Sequence, residues 1–283
     1  MHKIDLYKGS NMKNFKNKVV VITGAGSGMG RAYALEFARL GAILALNDYD
    51  KNGLDETIRL VTAKYARTKV LGKAFDVSQR EIMNEFADQV KLTFGNAHVI
   101  INNAGVGGGG KPVWELADSD YDRVIGINLF GVINGTRAFL PQLFANREGA
   151  VINISSIFGL VGTPFNSDYC ATKFAVRGFT EALMVELHDT PIQVHLVHPG
   201  GIKTNIAKGI ENGAEFEEKY LKTTPEDMVK YVIKKVKQDE PRIVYGYQAR
   251  RVWFASLAMR LKARNELFYK EMKEFIDKYN KPF

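Results

Sequence analysis

The chain has 283 residues, 46% hydrophobic and 25% charged, which suits one large α/β domain whose core needs no staples. Its one cysteine, Cys170, excludes an internal disulfide and a cysteine-rich zinc site, and fits a reducing, cytoplasmic setting. The net charge is +8, but residues 242–281 hold ten Lys/Arg against four Asp/Glu, so the excess sits in the tail and no nucleic-acid partner is indicated.

In chain order, residues 1–12 (MHKIDLYKGSNM) read as a polar N-terminal extension without the apolar core of a secretory signal, and Met12 would be a more economical start. Short apolar runs then predict strands at 18–23, 42–47, 69–75, 97–102, 149–155, 192–197 and 241–245. Helical patterns fall between them at 29–40, 52–66, 79–94, 118–145, 168–188 and 225–238. Strand and helix in alternation predict a doubly wound, mostly parallel seven-stranded sheet with helices on both faces, forming one domain over 13–245. No window holds about 18 consecutive apolar residues, so a membrane span is not expected. Residues 246–283 read as a C-terminal basic amphipathic helical extension. It could meet an anionic membrane or acyl-CoA phosphates through 250–283, or pack its apolar face on the domain or a neighbouring subunit.

Ligands of such sheets bind at the carboxyl ends of the strands. The first strand runs into TGAGSGMG (23–30), which opens a helix. Gly24 allows the tight turn, Gly28 the approach of a pyrophosphate, and Gly30 close helix–strand packing, so a dinucleotide is the expected ligand. Asp48 ends the second strand, where an acid accepts ribose hydroxyls and repels a 2′-phosphate. That favours NAD, with NADP the alternative; Asp48 could instead cap the next helix, although Asp50 is better placed to do so. If Asp48 turned away, Asn47 or Lys51 would be left to meet the phosphate of NADP. Further along, SDYCATKFAV (167–176) puts Tyr169 and Lys173 one helical turn apart on a shared face, either a catalytic couple or a surface pair. Ser156 lies 13 residues before Tyr169 at a strand end, and Asn128 sits inside a long helix that does not favour asparagine. Cys170 reads as a small packing residue. His2, His98, His188, His195 and His198 show no metal-ligand spacing.

The G-x-x-x-G-x-G loop with Tyr-x-x-x-Lys resembles the short-chain dehydrogenase/reductase family over about residues 18–245. The resemblance implies a Rossmann-like fold and a catalytic set of Asn128, Ser156, Tyr169 and Lys173. Tyr169 would be the general acid/base of a reversible hydride transfer, its ionisation helped by Lys173 and the oxidised nicotinamide. Ser156 would hold the substrate oxygen, and Asn128 would anchor a water leading to Lys173. The cofactor would be held by Gly24, Ser27, Gly28, Met29, Gly30 and Asp48, with Asp76 and Val77 beside the adenine. Asn103, Ala104 and Gly105 would lie alongside it, and Tyr169, Lys173, Pro199, Gly200, Ile202 and Thr204 would surround the nicotinamide end. Ser27 stands where Lys or Arg often accompanies NADP use.

The substrate expected is a small hydrophobic secondary alcohol or ketone. Its walls would come from residues 107–116, 157–166 and 205–222, including Trp114, Phe158, Val161 and Phe165, with 205–222 acting as a lid. The family habit implies a homodimer or homotetramer, built on helices 118–145 and 168–188. Rival readings are an NADP-dependent carbonyl reductase, a non-catalytic nucleotide-sensing protein on the same fold, and a membrane-peripheral scaffold.

Overall fold

A computed structural model describes residues 12–207 and 213–279; the N-terminal extension before Met12, His2, and Gly209 of the expected lid lie outside the described residues. Seven strands, β1 (Val19–Thr23), β2 (Ile43–Asp48), β3 (Val70–Ala74), β4 (Val99–Asn102), β5 (Gly149–Ile154), β6 (Ile192–Pro199) and β7 (Arg242–Tyr245), form one sheet. The order is 3-2-1-4-5-6-7 and every pairing is parallel. The central strands β1, β4 and β5 are buried along their whole length, as continuous β-branched and aliphatic runs require when helices cover both faces. Edge strand β3 is partly open to solvent, and its exposed positions are Gly72 and Ala74.

Helices α1 (Gly28–Arg39), α2 (Lys51–Lys64), α3 (Arg80–Phe94), α4 (Asp118–Ile125), α5 (Gly131–Asn146), α6 (Ser167–Glu186), α7 (Gly213–Tyr220) and α8 (Pro225–Val236) complete the body. One apolar layer joins α1, α2 and α8 through Phe37, Leu54 and Val232 to Val20, Ile22 and Leu44. The other joins α3, α5 and α6 through Phe86, Phe139 and Leu183 to Val21, Ile100 and Val151. Alternate residues of each strand therefore serve opposite layers, and the strand ends, where β1 parts from β4, are left open as a crevice.

The expected helix 118–145 is found, but Gly126–Phe130 forms a wider π-type turn, with Gly131 N–H reaching back to the Gly126 carbonyl. That extra residue turns Asn128 inward, where it is fully buried. The whole helix, Asp118–Asn146, is long and apolar enough to cross a membrane by length and composition. In the fold its inner side carries Asn128, Asn134, Thr136 and Gln142, each hydrogen-bonded to the body.

The N-terminal side differs from the sequence reading, while the C-terminal extension is helical as expected. Met12, placed in the polar extension, is buried, and its N–H donates to Gln193 Oε1 at 3.2 Å. The C-terminal segment folds as α9 (Ala249–Ala258) and α10 (Leu261–Tyr279). Ala249, Val252 and Ala255 pack inward, the first two against Ile157, Leu160 and Val244, and Phe275 is buried as well.

Two histidines of β6 are buried neutral. His198 donates from Nδ1 to the Ser156 carbonyl at 2.7 Å, and its Nε2 has no partner. Burial pushes its pKa down from 6.5 to about 4. Between those values the unfolded chain binds a proton that the folded chain refuses, so stability falls as pH drops through 6.5 towards 4. The loss expected is about 3 kcal/mol, at about 1.4 kcal/mol per pH unit. Urea unfolding against pH should show a shallower acid slope for His198→Asn, which keeps an N–H donor; an unchanged slope would contradict the assignment.

Candidate active site

The loop between β1 and α1 is shaped by absent side chains. Gly24 has φ +65°, and a Cβ there would lie 2.7 Å from Ala104 Cα. Gly28 has φ +49°, and a Cβ there would lie 3.1 Å from the Thr204 methyl, so the loops after β1 and β6 meet across the crevice. Ser27 caps α1 without a side-chain hydrogen bond, and the first turn holds no acidic residue, which leaves the helix N-terminus available to an anion. Asp48 accepts the Gly26 N–H at 2.7 Å through Oδ2 and the Asp50 N–H at 2.8 Å through Oδ1. Asp50, as expected, is the residue that caps α2. Thr23 accepts the N–H groups of Asn103 and Ala104 at 3.0 and 3.1 Å, while Asn103 Nδ2 donates to the Thr23 and Gly24 carbonyls. Asn103 Oδ1 is buried without a partner. A glycine cradle, a bare helix N-terminus, a carboxylate at the β2 end and an unused amide oxygen fit a dinucleotide.

Asp76 and Val77 follow β3 as expected. Asp76 accepts the Ser78 N–H at 2.8 Å, and Val77 is buried where Gly131 leaves room for it. Gly105 lies beneath the Asn128 amide and the Lys173 ammonium. Pro199 ends β6, and Gly200 and Ile202 run into a loop stitched by Gly201 N–H to Tyr247 O and Thr223 N–H to Gly201 O, both 3.0 Å.

Ser156, Tyr169 and Lys173 converge opposite this cradle. Lys173 is 3% exposed and donates from Nζ to the Ile154 carbonyl at 3.2 Å, with Nζ 5.5 Å from the Tyr169 ring centre. Burial pushes the Lys173 amine down to about 8. The same burial pushes the Tyr169 phenol up to about 12, while a hydrogen bond with the Ser156 hydroxyl pulls the other way. The sequence reading had Lys173 lowering the phenol; in the protein alone, desolvation is the larger effect. Asn128 is close by, with its side chain turned to Val106. Oδ1 accepts the Val106 N–H at 2.8 Å and Nδ2 donates to the Val106 carbonyl at 2.9 Å.

A cavity of about 220 Å³ opens from Ser156 and Tyr169. Phe158 and Phe165 line it as expected, and Phe216 and Tyr220 of α7 bring in the second half of the expected lid. Two expected walls are elsewhere. Trp114 is 66% exposed and does not line the cavity, and Val161 is fully buried in the core beneath it. The unexpected wall is the C-terminal extension, which contributes Val252, Ala255, Leu267, Phe268 and Met272. Arg251 and Glu271, ion-paired with each other, supply the charged part of the lining.

A family model for short chain dehydrogenases matches residues 18–215. The chain belongs to the short-chain dehydrogenase family. SadH of Mycobacterium tuberculosis is 43% identical over 252 residues, covering 85% of this chain and 90% of that protein. Human epidermal retinol dehydrogenase 2 is 40% identical over 204 residues, covering 71% of this chain and 65% of that protein. Among solved structures, a short chain dehydrogenase/reductase from Burkholderia phymatum in complex with NAD superposes with a TM-score of 0.78 at 30% identity, covering 93% and 97% of the two chains.

Three further residues of this short-chain dehydrogenase shape the site without having stood out in the sequence. Arg31 on α1 donates to Thr57 at 2.9 Å and to the Gly26 carbonyl, and so braces the glycine loop against α2. Ser155 donates to the Lys173 carbonyl at 2.9 Å, which ties α6 to the end of β5. Asp168 is fully buried at the start of α6, where it accepts the Gly109 N–H and the Tyr169 N–H, both at 2.8 Å. Any side chain at Gly108 would collide with that carboxylate. The carboxylate therefore fixes the glycine loop 107–110 beside Tyr169, a pairing that joins residues 59 apart in sequence. Asp168→Asn keeps the shape but turns one acceptor into a donor facing an N–H. Stability should fall by about 2 kcal/mol, the worth of a hydrogen bond to a charged group, and KM for the substrate should rise several-fold more than kcat falls. Denaturation and steady-state kinetics check this; an unchanged KM would show that the loop holds its place without Asp168.

Proposed function

We propose that this protein is an NAD-dependent oxidoreductase acting on a hydrophobic secondary alcohol or its ketone, with Tyr169 as general acid/base. The observation that carries the reading is the convergence of Ser156, Tyr169 and Lys173 at the inner end of an apolar cavity, beside the glycine cradle. The name of the human relative, an enzyme of retinol, supports an apolar alcohol.

The dinucleotide, when bound, supplies or takes up the hydride. The chain's own residues handle the proton and the orientation. Tyr169, held protonated by burial, donates its phenolic proton to a carbonyl oxygen in the reducing direction. In the oxidising direction the phenol must lose that proton first, and the Lys173 ammonium 5.5 Å from the ring favours the phenolate. Lys173 pushed down to about 8 is close enough to neutrality to exchange a proton itself. Ser156 steadies charge on the substrate oxygen from the other side of the phenol. Val106 takes one of the two acceptor sites of Asn128 Oδ1, and the other would serve a water leading to Lys173.

NAD is favoured over NADP by the residues around Asp48. Its carboxylate is held by two N–H groups and faces the place of the ribose hydroxyls. Asn47 is fully buried, with Nδ2 donating to Phe75 O at 2.9 Å, and Lys51 is ion-paired with Asp55, so neither is a ready phosphate partner. Pairing with a second copy is supported by Phe130 and Phe174, 44% and 41% exposed on the helices expected to carry the subunit contact.

Tyr169→Phe should keep its fold and lose about 10²–10⁴ in kcat for NAD-linked alcohol oxidation, the range of general acid–base catalysis. Near-wild-type turnover would contradict the assignment. In Lys173→Met the phenol loses its nearby cation, so the rise of the oxidation rate with pH should move to higher pH; a rise in the wild-type position would remove Lys173 from the proton step.

A further inference from the structure

The C-terminal helices have two apolar sides, and the body covers one. Val252 and Ala255 of α9 face inward onto the cavity. Trp253, Phe254 and Leu257 of the same helix, and Leu261 at the start of α10, remain 37%, 70%, 64% and 63% exposed. Their spacing of one, four and eight residues from Trp253 puts the helix residues on one outward stripe, with Leu261 continuing the line. Residues 249–265 contain five basic side chains and no acidic one. Arg251 is paired with Glu271, while Arg250, Arg260, Lys262 and Arg264 take part in none of the ion pairs among the described residues. The packing reading of this tail is met by the inner face of α9, and the outer face stays exposed.

We propose that the outer face of α9 and the start of α10 docks on an anionic lipid bilayer. An interfacial helix needs apolar side chains to enter the headgroup boundary and cations beside them to meet anionic lipids, and both are present on the same exposed surface. Trp253 is of the type that settles at that boundary. A second copy is the poorer occupant, because face-to-face contact would bring together two sets of four cations, Arg250, Arg260, Lys262 and Arg264, that are outside the ion pairs among the described residues. Docking in this orientation places the membrane directly behind the cavity wall formed by Val252 and Ala255. Delivery of an apolar substrate from the bilayer follows if the catalytic reading holds; the docking itself does not depend on that reading.

The test is flotation of the full-length protein with vesicles of phosphatidylcholine alone and of phosphatidylcholine mixed with phosphatidylglycerol. Tight, salt-sensitive binding to the mixed vesicles is expected, about tenfold or more above binding to the neutral ones. In a Trp114→Phe background, Trp253 emission should shift to the blue on binding. The Phe254→Glu/Leu257→Glu and Arg260→Glu/Arg264→Glu variants should float poorly while keeping wild-type circular dichroism and alcohol oxidation. Absence of binding at low ionic strength would overturn the proposal, as would equal binding by the variants. A concentration-dependent dimer abolished by Phe254→Glu, without vesicle binding, would overturn it in favour of a second copy.

Discussion

A lysine amine held out of water is the constraint on which the site depends. Lys173 is 3% exposed and has one carbonyl as a hydrogen-bond partner, so its charge is costly and its pKa falls to about 8. The same enclosure raises the Tyr169 phenol to about 12. Neither group is poised for chemistry in isolation. In the proposed mechanism each becomes so when charge or hydroxyl groups arrive beside it, and proton transfer then depends on a filled site. The enclosure requires α6 to sit tightly on the end of β5. Ser155 supplies that contact through the Lys173 carbonyl, and any side chain at Gly159 would break it.

The sheet fixes the distances between these parts with a buried polar chain. Asn102 on β4 donates to Thr136 on α5 at 3.0 Å and to Asn153 on β5 at 2.8 Å, and Asn153 donates in turn to Thr180 on α6 at 3.0 Å. Such a chain costs free energy if one member is lost, because the remaining groups stay buried without partners. It therefore specifies register where apolar packing alone would tolerate slippage. Two helices and two strands are locked by it close to the glycine loop and to Ser156, Tyr169 and Lys173. A second device, Asp168, does the same for the glycine loop beside Tyr169.

Much of this was legible in the sequence because it is local. Continuous apolar runs marked the strands, the glycine string marked the first turn, and the spacing of Tyr169 and Lys173 marked one helix face. Asp50 was recognisable as the helix cap, which left Asp48 to face the crevice. The remainder depended on contacts between distant segments. The π-type turn at Gly126–Phe130 has no pattern that separates it from an ordinary helix. Asp168 carried no signal in the sequence, since its partner at Gly109 lies 59 residues away. Val161 and Trp114 were hydrophobic and near the site in sequence, but one is core and the other is surface. The tail was readable as an amphipathic helix, yet which of its faces met the body, and that the body there was the cavity, could be seen in three dimensions alone.

The central claim is that the Tyr169 phenol is kept protonated by burial and released by what binds next to it. The direct measurement is an ultraviolet difference titration of wild type against Tyr169→Phe, which isolates one phenol among 12 tyrosines, carried out with and without NAD. The account predicts that the Tyr169 signal ionises well above the ordinary value near 10 in the free protein, and at least about one unit lower with NAD present. A phenol that already ionises near neutral pH in the free protein, or one that NAD leaves unmoved, would contradict it.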